Sequence, residues 1–379
     1  MRVMPSNLGE PFTSAGLRGL LAVTMICVGT SMSPSALAAG PSAIERAYAK
    51  TKKASTAADY TQVIQLCDEA KKGTLTQGEK DYVKRLLAWA FNRRGEARTE
   101  LAAQAVKRGE KDEAAALDEQ ALADFEAAVR QDPTRWKAFH NRGVSNALAG
   151  NYELAIADFG RVLELNKGYA NAWFNLGEIY YEQGQFTEAM RNYNQAIQIN
   201  EQDAGAYTSR GHTFFRLRQF SDSLKDYNRA VELAPSAETH ADRGDVYQSL
   251  GQWEEAAADF RRAIELDSKS ARAYQSAAWF MATCPSDRYR SPRALAAAKK
   301  AVELNSDSDY RYLDTLAAAY ANSDQFTEAV ANLSRAIDLA PPTEVPALRE
   351  RLELYQAQKP YRQHQARATN VSVDGRSDS

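Results

Sequence analysis

The residues best suited to acid–base, nucleophilic or metal chemistry in this 379-residue chain are four histidines and three cysteines. An activated nucleophile needs an adjacent base, and a metal needs several converging ligands. His140, His212, His240 and His364 stand far apart, as do Cys27, Cys67 and Cys284. No H-E-x-x-H, C-x-x-C, G-x-S-x-G or phosphate-cradling glycine loop is present. The Asp and Glu residues follow helix-surface spacing and read as solvated faces. The residues argue against an enzyme, and imply no catalytic set, no metal and no cofactor. A different pattern is ionic. Arg94, Arg142, Arg210 and Arg243 are followed by Asp124, Asp158, Asp226 and Asp259, whereas Leu176 and Leu316 are followed by Asn192 and Asn332, and Ala277 by Ala297.

These residues are positioned by a repeat. The stretch from Ala170 to Asp203, ANAWFNLGEIYYEQGQFTEAMRNYNQAIQINEQD, sets its register. With Ala170 as position 1, Trp173, Leu176, Gly177 and Tyr180 take positions 4, 7, 8 and 11. Ala189, Tyr193, Ala196 and Ile199 take 20, 24, 27 and 30. Apolar spacings of three, four and seven predict two amphipathic helices, with Gly184 at the turn between them. Gly177 and Ala189 are expected to let the helices approach closely, with the aromatics at 4, 11 and 24 filling the surrounding space.

The pattern W-x-x-L-G-x-x-Y followed by A-x-x-x-F/Y-x-x-A resembles the tetratricopeptide repeat, a helix–turn–helix unit. Phe139, Gly143, Asn146, Ala155, Phe159 and Val162 mark the copy before it. Tyr207, Gly211, Phe214, Ser223, Tyr227, Ala230 and Pro235 mark the copy after it, and His240, Gly244, Tyr247, Ala256, Phe260 and Ala263 a fourth. The resemblance implies an all-α superhelix of stacked hairpins, since one hairpin cannot bury its apolar face alone. His240 then falls on an apolar repeat position.

In that family positions 7 and 23 lie close together on the two helices of a hairpin. The resemblance therefore implies charge-assisted bridges Arg94–Asp124, Arg142–Asp158, Arg210–Asp226 and Arg243–Asp259, with a structural role. It also implies a ligand groove lined by positions 2, 5, 9, 12 and 13. Lys137 and His140 occupy such positions in the first regular copy, and Phe174, Glu178 and Tyr181 in the second. Thr208, His212 and Phe215 follow in the third, Asp245 and Gln248 in the fourth, and Trp279 in the fifth. One subgroup of the family clamps a terminal carboxylate with Lys and Asn at positions 5 and 9. Here those positions hold His140/Val144, Phe174/Glu178 and Thr208/His212, so that clamp is absent. A mixed aromatic and acidic groove suits an extended or helical peptide with apolar and basic side chains.

Along the chain, 42–78 is expected to be an amino-terminal helical cap, with 42–73 helical. Residues 79–135 read as a stretched copy. Gly95 and Ala121 are fourteen residues further apart than their counterparts Gly177 and Ala189, shared equally by two arms that meet at Gly109. This predicts a projecting hairpin, either a tolerated insertion or a docking arm. The array is expected to run over 136–343, as copies 136–169, 170–203, 204–236, 237–270, 271–305 and 310–343. The fifth carries an extended turn containing Pro285 and Pro292. Residues 344–361 are expected to be a carboxy-terminal capping helix and 362–379 a polar, disordered tail. AWFMATCPSDRYRSP, YRYLDTLAAAYA and RLELYQAQKPYR together look like the carboxy-terminal part of exported bacterial tetratricopeptide proteins without an assigned activity.

Residues 1–38 read as a secretory signal peptide: Arg2 and Arg18, the apolar run LLAVTMICVG, then Ala36-Leu37-Ala38. The run is short of the ~20 residues a spanning helix needs, so cleavage is favoured over a membrane anchor. Arg2, Arg18 and Glu10 carry a net +1, which leaves about −3 on the rest of a chain whose formal charge is −2. Without a long basic run, nucleic acid is not an expected partner. Cys67 and Cys284 lie too many hairpins apart to pair. Cys67 reads as a small core residue, and Cys284 is a candidate reactive or intermolecular thiol. The expected function is a non-catalytic scaffold for a protein or peptide, exported to the periplasm or outside of a bacterium. The alternative is an architectural subunit that oligomerises through the projecting hairpin (95–121) or the array ends.

Overall fold

Position 8 of the repeat is where the two helices of a hairpin touch, and in three copies a side chain there has almost no room. In the computed structural model a Cβ built on Gly177 would lie 2.5 Å from the Tyr193 ring. The same distance separates one on Gly95 from Phe125, and 2.6 Å one on Gly244 from Phe260. The structure describes residues 42–305 and 309–363, and among these there are seventeen α-helices and no strand. The expected signal segment 1–38 and the expected tail beyond Gln363 lie outside the described residues. The chain divides into two units, Met1–Ile199 and Asn200–Ser379.

In the first unit, α1 (Ala43–Thr51) and α2 (Ala57–Ala70) pack on the first half of α3 (Gln77–Arg108). The helical segment expected over 42–73 is built as two helices. The reason is local: the Thr56 hydroxyl accepts from the Asp59 N–H, and the Asp59 carboxylate accepts from the Thr56 N–H, a capping box that starts a new helix. Tyr60, Val63, Ile64 and Cys67 from α2 meet Leu86, Leu87 and Trp89 from α3 in one buried cluster. The 32 residues of α3 make a rod of about 48 Å. It turns at Gly109, which is left-handed with φ 81°, into the 21-residue α4 (Lys111–Gln131). Near the tip only a small cluster of Ala102, Ala105 and Ala114 is buried, and Val106 is left 62% exposed. Two shorter hairpins follow: α5 (Trp136–Leu148) with α6 (Tyr152–Leu165), and α7 (Ala170–Glu182) with α8 (Phe186–Ile199).

The second unit holds four hairpins and a closing helix. The hairpins are α9 (Ala204–Arg216) with α10 (Phe220–Leu233), α11 (Ala237–Leu250) with α12 (Trp253–Leu266), α13 (Ala271–Thr283) with α14 (Arg293–Leu304), and α15 (Tyr310–Ala321) with α16 (Phe326–Leu339). α17 (Val345–Gln356) buries Leu348 and Tyr355 in a cluster with Leu333 and Leu313. α13 and α14 are joined by the irregular stretch 284–292, in which Cys284 is fully buried against Phe260 and Phe280.

Every tight hairpin needs one left-handed residue. Gly150, Gly184 and Gly251 supply it in three of them, but Arg218 (φ 60°) and Asp324 (φ 57°) stand at that turn in α9–α10 and α15–α16. A non-glycine residue there costs about 1–2 kcal/mol. Glycine would remove that strain while adding about 0.4–1 kcal/mol of unfolded-state entropy. Arg218→Gly should therefore stabilise the protein by up to about 1 kcal/mol, read as a higher urea midpoint. A drop in the midpoint would show that the stacking of Arg218 on Phe220, at 5.8 Å, matters more than the backbone.

Candidate functional site

The four Arg–Asp sets each close within one hairpin. Arg142 and Asp158 meet through two parallel bonds, Nε to Oδ2 at 2.9 Å and Nη2 to Oδ1 at 2.6 Å. Arg210–Asp226 repeats this at 2.7 and 2.6 Å, Arg243–Asp259 at 2.7 and 2.8 Å, and Arg94–Asp124 at 2.9 and 2.6 Å. All four carboxylates are buried. Each guanidinium also lies over an aromatic ring, as Arg142 does over Phe139 at 5.5 Å. Where position 7 is leucine, the Asn at position 23 instead donates to its own helix, Asn192 to Glu188 O and Asn332 to Glu328 O, both at 2.8 Å. His240 does not behave as an apolar filler. Its Nδ1 lies 2.8 Å from Asp259 Oδ1, so that carboxylate serves two partners. Asp124 likewise takes a second arginine, Arg98 at 2.5 Å.

In the first unit most of the expected groove residues are built into the packing, a correction to their reading as groove lining. His140 is fully buried, ringed by Phe159 and Tyr169 at 5.6 and 5.1 Å. Phe174 is fully buried against Tyr193 at 5.9 Å. Glu178 is buried and accepts a 2.7 Å bond from the Tyr193 hydroxyl. Lys137, with its ammonium over Trp136 at 5.4 Å, and Tyr181, edge-on to Phe186 at 5.5 Å, keep partial exposure. In the second unit Thr208 is similarly withdrawn, buried with its hydroxyl donating to Ala204 O.

The remaining residues converge. Phe215, Asp245, Gln248 and Trp279 line a cavity of about 370 Å³ on the face made by the first helices of the hairpins, α9, α11, α13 and α15, and closed at one side by α17. A charged ladder holds those helices in line. His212 Nε2 on α9 lies 3.0 Å from Asp242 on α11, and Arg272 on α13 donates to both Asp242 (3.2 Å) and Asp245 (2.5 Å). At Asp242 burial pushes the carboxyl up, but His212 and Arg272 outweigh it and hold it below the usual carboxylate range. At Asp245 burial wins over Arg272 and the carboxyl is raised. Arg272 keeps its charge, since the two carboxylates more than offset the burial that disfavours it. A second pair, Arg351–Asp314, is bidentate at 3.0 and 2.8 Å. Burial raises Asp314 above the usual range despite Arg351.

Asp242, Arg272, Asp314, Arg351 and Gln363 are site residues that the repeat pattern did not single out. A signal existed for the first two: Arg272 at position 2 faces the acids at positions 6 and 9 of the copy before it. No periodicity marks Gln363. The expectation that the chain is disordered from residue 362 is corrected at its first two residues. Arg362 Nη1 donates to Ala282 O at 2.9 Å, and the Gln363 N–H donates to Thr283 O at 2.9 Å, so both dock on the end of α13.

The thiols are withdrawn from chemistry. Burial pushes Cys67 up to about 12 and also raises Cys284, which weakens its reading as a reactive residue. Among the described residues no group of three or more His, Cys, Asp or Glu is placed to hold a metal, and no helix is long and apolar enough to cross a membrane.

Comparison with known proteins agrees with this geometry. The family model described as TPR repeat matches 147–184, 177–218 and 244–277. Two models described as tetratricopeptide repeat match 119–163 and 204–236. No curated protein matches the chain. Among solved structures, a tetratricopeptide repeat protein from Parabacteroides merdae is 18% identical with a TM-score of 0.51, covering 69% of this chain and 98% of that one. That likeness is one of fold. The yeast protein Tom70 is 16% identical with a TM-score of 0.45, covering 83% of this chain and 64% of that one. TTC0263 of Thermus thermophilus is 20% identical with a TM-score of 0.39, covering 47% and 94%.

Proposed function

We propose, on the premise that this chain is a tetratricopeptide-repeat protein, that it is a scaffold seating a partner's extended peptide on the α9–α11–α13–α15 face of the second unit. Stacked helical hairpins of this class present protein- or peptide-binding surfaces. The observation that supports this seat is that it already receives a non-helical backbone segment, the chain's own, through Gln363 N–H to Thr283 O. Beside it lies a cavity with aromatic walls, Phe215 and Trp279, and paired charges, Arg272 with Asp245 and Arg351 with Asp314. Such a surface grips a mixed-polarity peptide rather than a polyanion. The same reading has no catalytic step and no cofactor. It places the protein in the cell envelope of a bacterium, supported by the character of residues 1–38.

A rival reading keeps one observation of its own. Val106 is 62% and Leu101 42% exposed near the tip of the α3–α4 hairpin, an apolar surface that suits assembly of copies. Site-specific photocrosslinking in cells separates the two. A benzophenone side chain at Phe215 should capture a partner protein, while one at the exposed Lys225 on α10 should not. Equal capture at both positions would remove the seat. Capture of a second copy at Val106, with none at Phe215, would replace it with the architectural reading.

A further inference from the structure

The segment after α17 does not simply end. Gln358, left-handed at φ 56°, turns the chain back, and Lys359 N–H closes the turn on Leu354 O at 2.8 Å. Tyr361 then stacks beside Trp279 at 6.0 Å, and the Arg351 guanidinium lies over both rings, at 5.5 and 5.6 Å. Arg362 reaches Ala282 O, and Gln363 reaches Thr283 O. These carbonyls end α13, where acceptors lack helical partners and the helix dipole favours a cation. The Gln363 side chain accepts from Trp279 Nε1 at 3.3 Å and from Gln248 Nε2. A tyrosine, an arginine and a carboxamide are thus each read by a different feature of the seat. They are borne on backbone that adds one main-chain hydrogen bond.

The seat is not fully used. Gln248 is 3% exposed and lines the cavity, yet its Oε1 has no hydrogen-bond partner among the described residues. A buried acceptor left unmade is unfavourable, and a ligand with a donor at that point would relieve it. The cavity extends from there to Phe215 and Tyr312, past what the segment covers.

We propose that Tyr361–Gln363 is a resident self-ligand of the peptide seat. The partner then carries an extended segment of the same chemistry, an aromatic residue followed by a basic one and a carboxamide, and binds by displacing it. This deepens the proposed function and rests on it. An occupant tethered by a short linker acts at an effective concentration in the millimolar range, so an untethered peptide of equal chemistry competes poorly until the tethered one is disabled.

The test uses the full chain and a fluorescein-labelled synthetic peptide copying Ala357–Gln363, with binding read by anisotropy. The unaltered protein should bind it weakly. The double variant Tyr361→Ala/Arg362→Ala should bind about ten-fold or more tightly. A peptide with alanine at its tyrosine and arginine should not bind the double variant. Adding Trp279→Leu to that variant should abolish binding. Equal affinity of the unaltered and double-variant proteins, at unchanged helical circular dichroism, would overturn the proposal. Should the double variant lose its fold, Gln363→Ala gives the second reading: a few-fold gain supports the self-ligand and no gain overturns it. Peptide binding by none of the proteins, with partner capture at Phe215 intact, defeats the self-ligand and leaves the seat. Loss of capture at Phe215 defeats the seat itself.

Discussion

Asp259→Ala is expected to destabilise the protein by about 3–5 kcal/mol. Asp259 is 5% exposed and accepts two bonds from Arg243 and one from His240, on the facing helix of the same hairpin. Removing it leaves a guanidinium and an imidazole in a tight space without their acceptor, which is the costly way to break such a pair. Asp222→Ala is the contrast. Its partner Lys225 is largely in solvent and Asp222 itself about half, so the change should stay within about 1 kcal/mol. The chain also contains the uncharged alternative, Leu176 with Asn192. Arg210→Leu combined with Asp226→Asn should therefore recover most of what Asp226→Asn alone loses. Burial already pushes Asp226 above the usual carboxylate range despite Arg210, so that pair is held against a desolvation cost. Urea midpoints of the full chain read all of these. A loss below about 1 kcal/mol for Asp259→Ala would mean the bridge is decorative.

Gly177→Ala is expected to cost about 2 kcal/mol net, whereas Gly211→Ala should be close to neutral. Alanine improves helix propensity by about 1 kcal/mol at either position. At Gly177 the new methyl would sit 2.5 and 2.7 Å from atoms of the Tyr193 ring. That ring is fully buried and its hydroxyl is tied to Glu178, so it has little freedom to yield. Overpacking then costs toward the upper end of 1–3 kcal/mol and wins. At Gly211 the nearest Tyr227 atom is 3.3 Å away, and a shift of a few tenths of an ångström suffices. Thermal melts of the two variants in parallel decide it: equal midpoints would show that Tyr193 yields as readily as Tyr227.

The all-α repeat architecture was legible because each hairpin writes its own contacts locally. The glycine at position 8 and the ring at 24 meet across one turn, so Gly177 and Tyr193 announce their neighbours sixteen residues apart. The same locality exposed the Arg–Asp partners. Depth was not legible. Repeat phase places Phe174, Thr208 and Phe215 on one kind of helix face. Burial depends on whether neighbouring side chains close over the residue, and they do so at Phe174 and Thr208 but not at Phe215. His240 misled because an apolar repeat position can hold a polar ring when a carboxylate stands opposite. The break at Thr56 was hidden by apolar residues in helical register on both sides of it, although the capping residues were there to be read. The docking of Arg362 and Gln363 was out of reach, since a segment that crosses to a helix eighty residues back leaves no local trace.

Two kinds of ionic wiring coexist in the second unit, and they govern different properties. The Arg210–Asp226 and Arg243–Asp259 bridges set how well a single hairpin holds itself. The run His212, Asp242, Arg272, Asp245 spans three hairpins and sets how strongly each feels the state of the next. In a linear array those are separate energies. Cutting the run at Arg272 would leave hairpins that are individually sound but melt piecemeal, in a broad and shallow transition. Cooperativity would be lost ahead of stability, and it would be lost among the hairpins that begin with α9, α11 and α13.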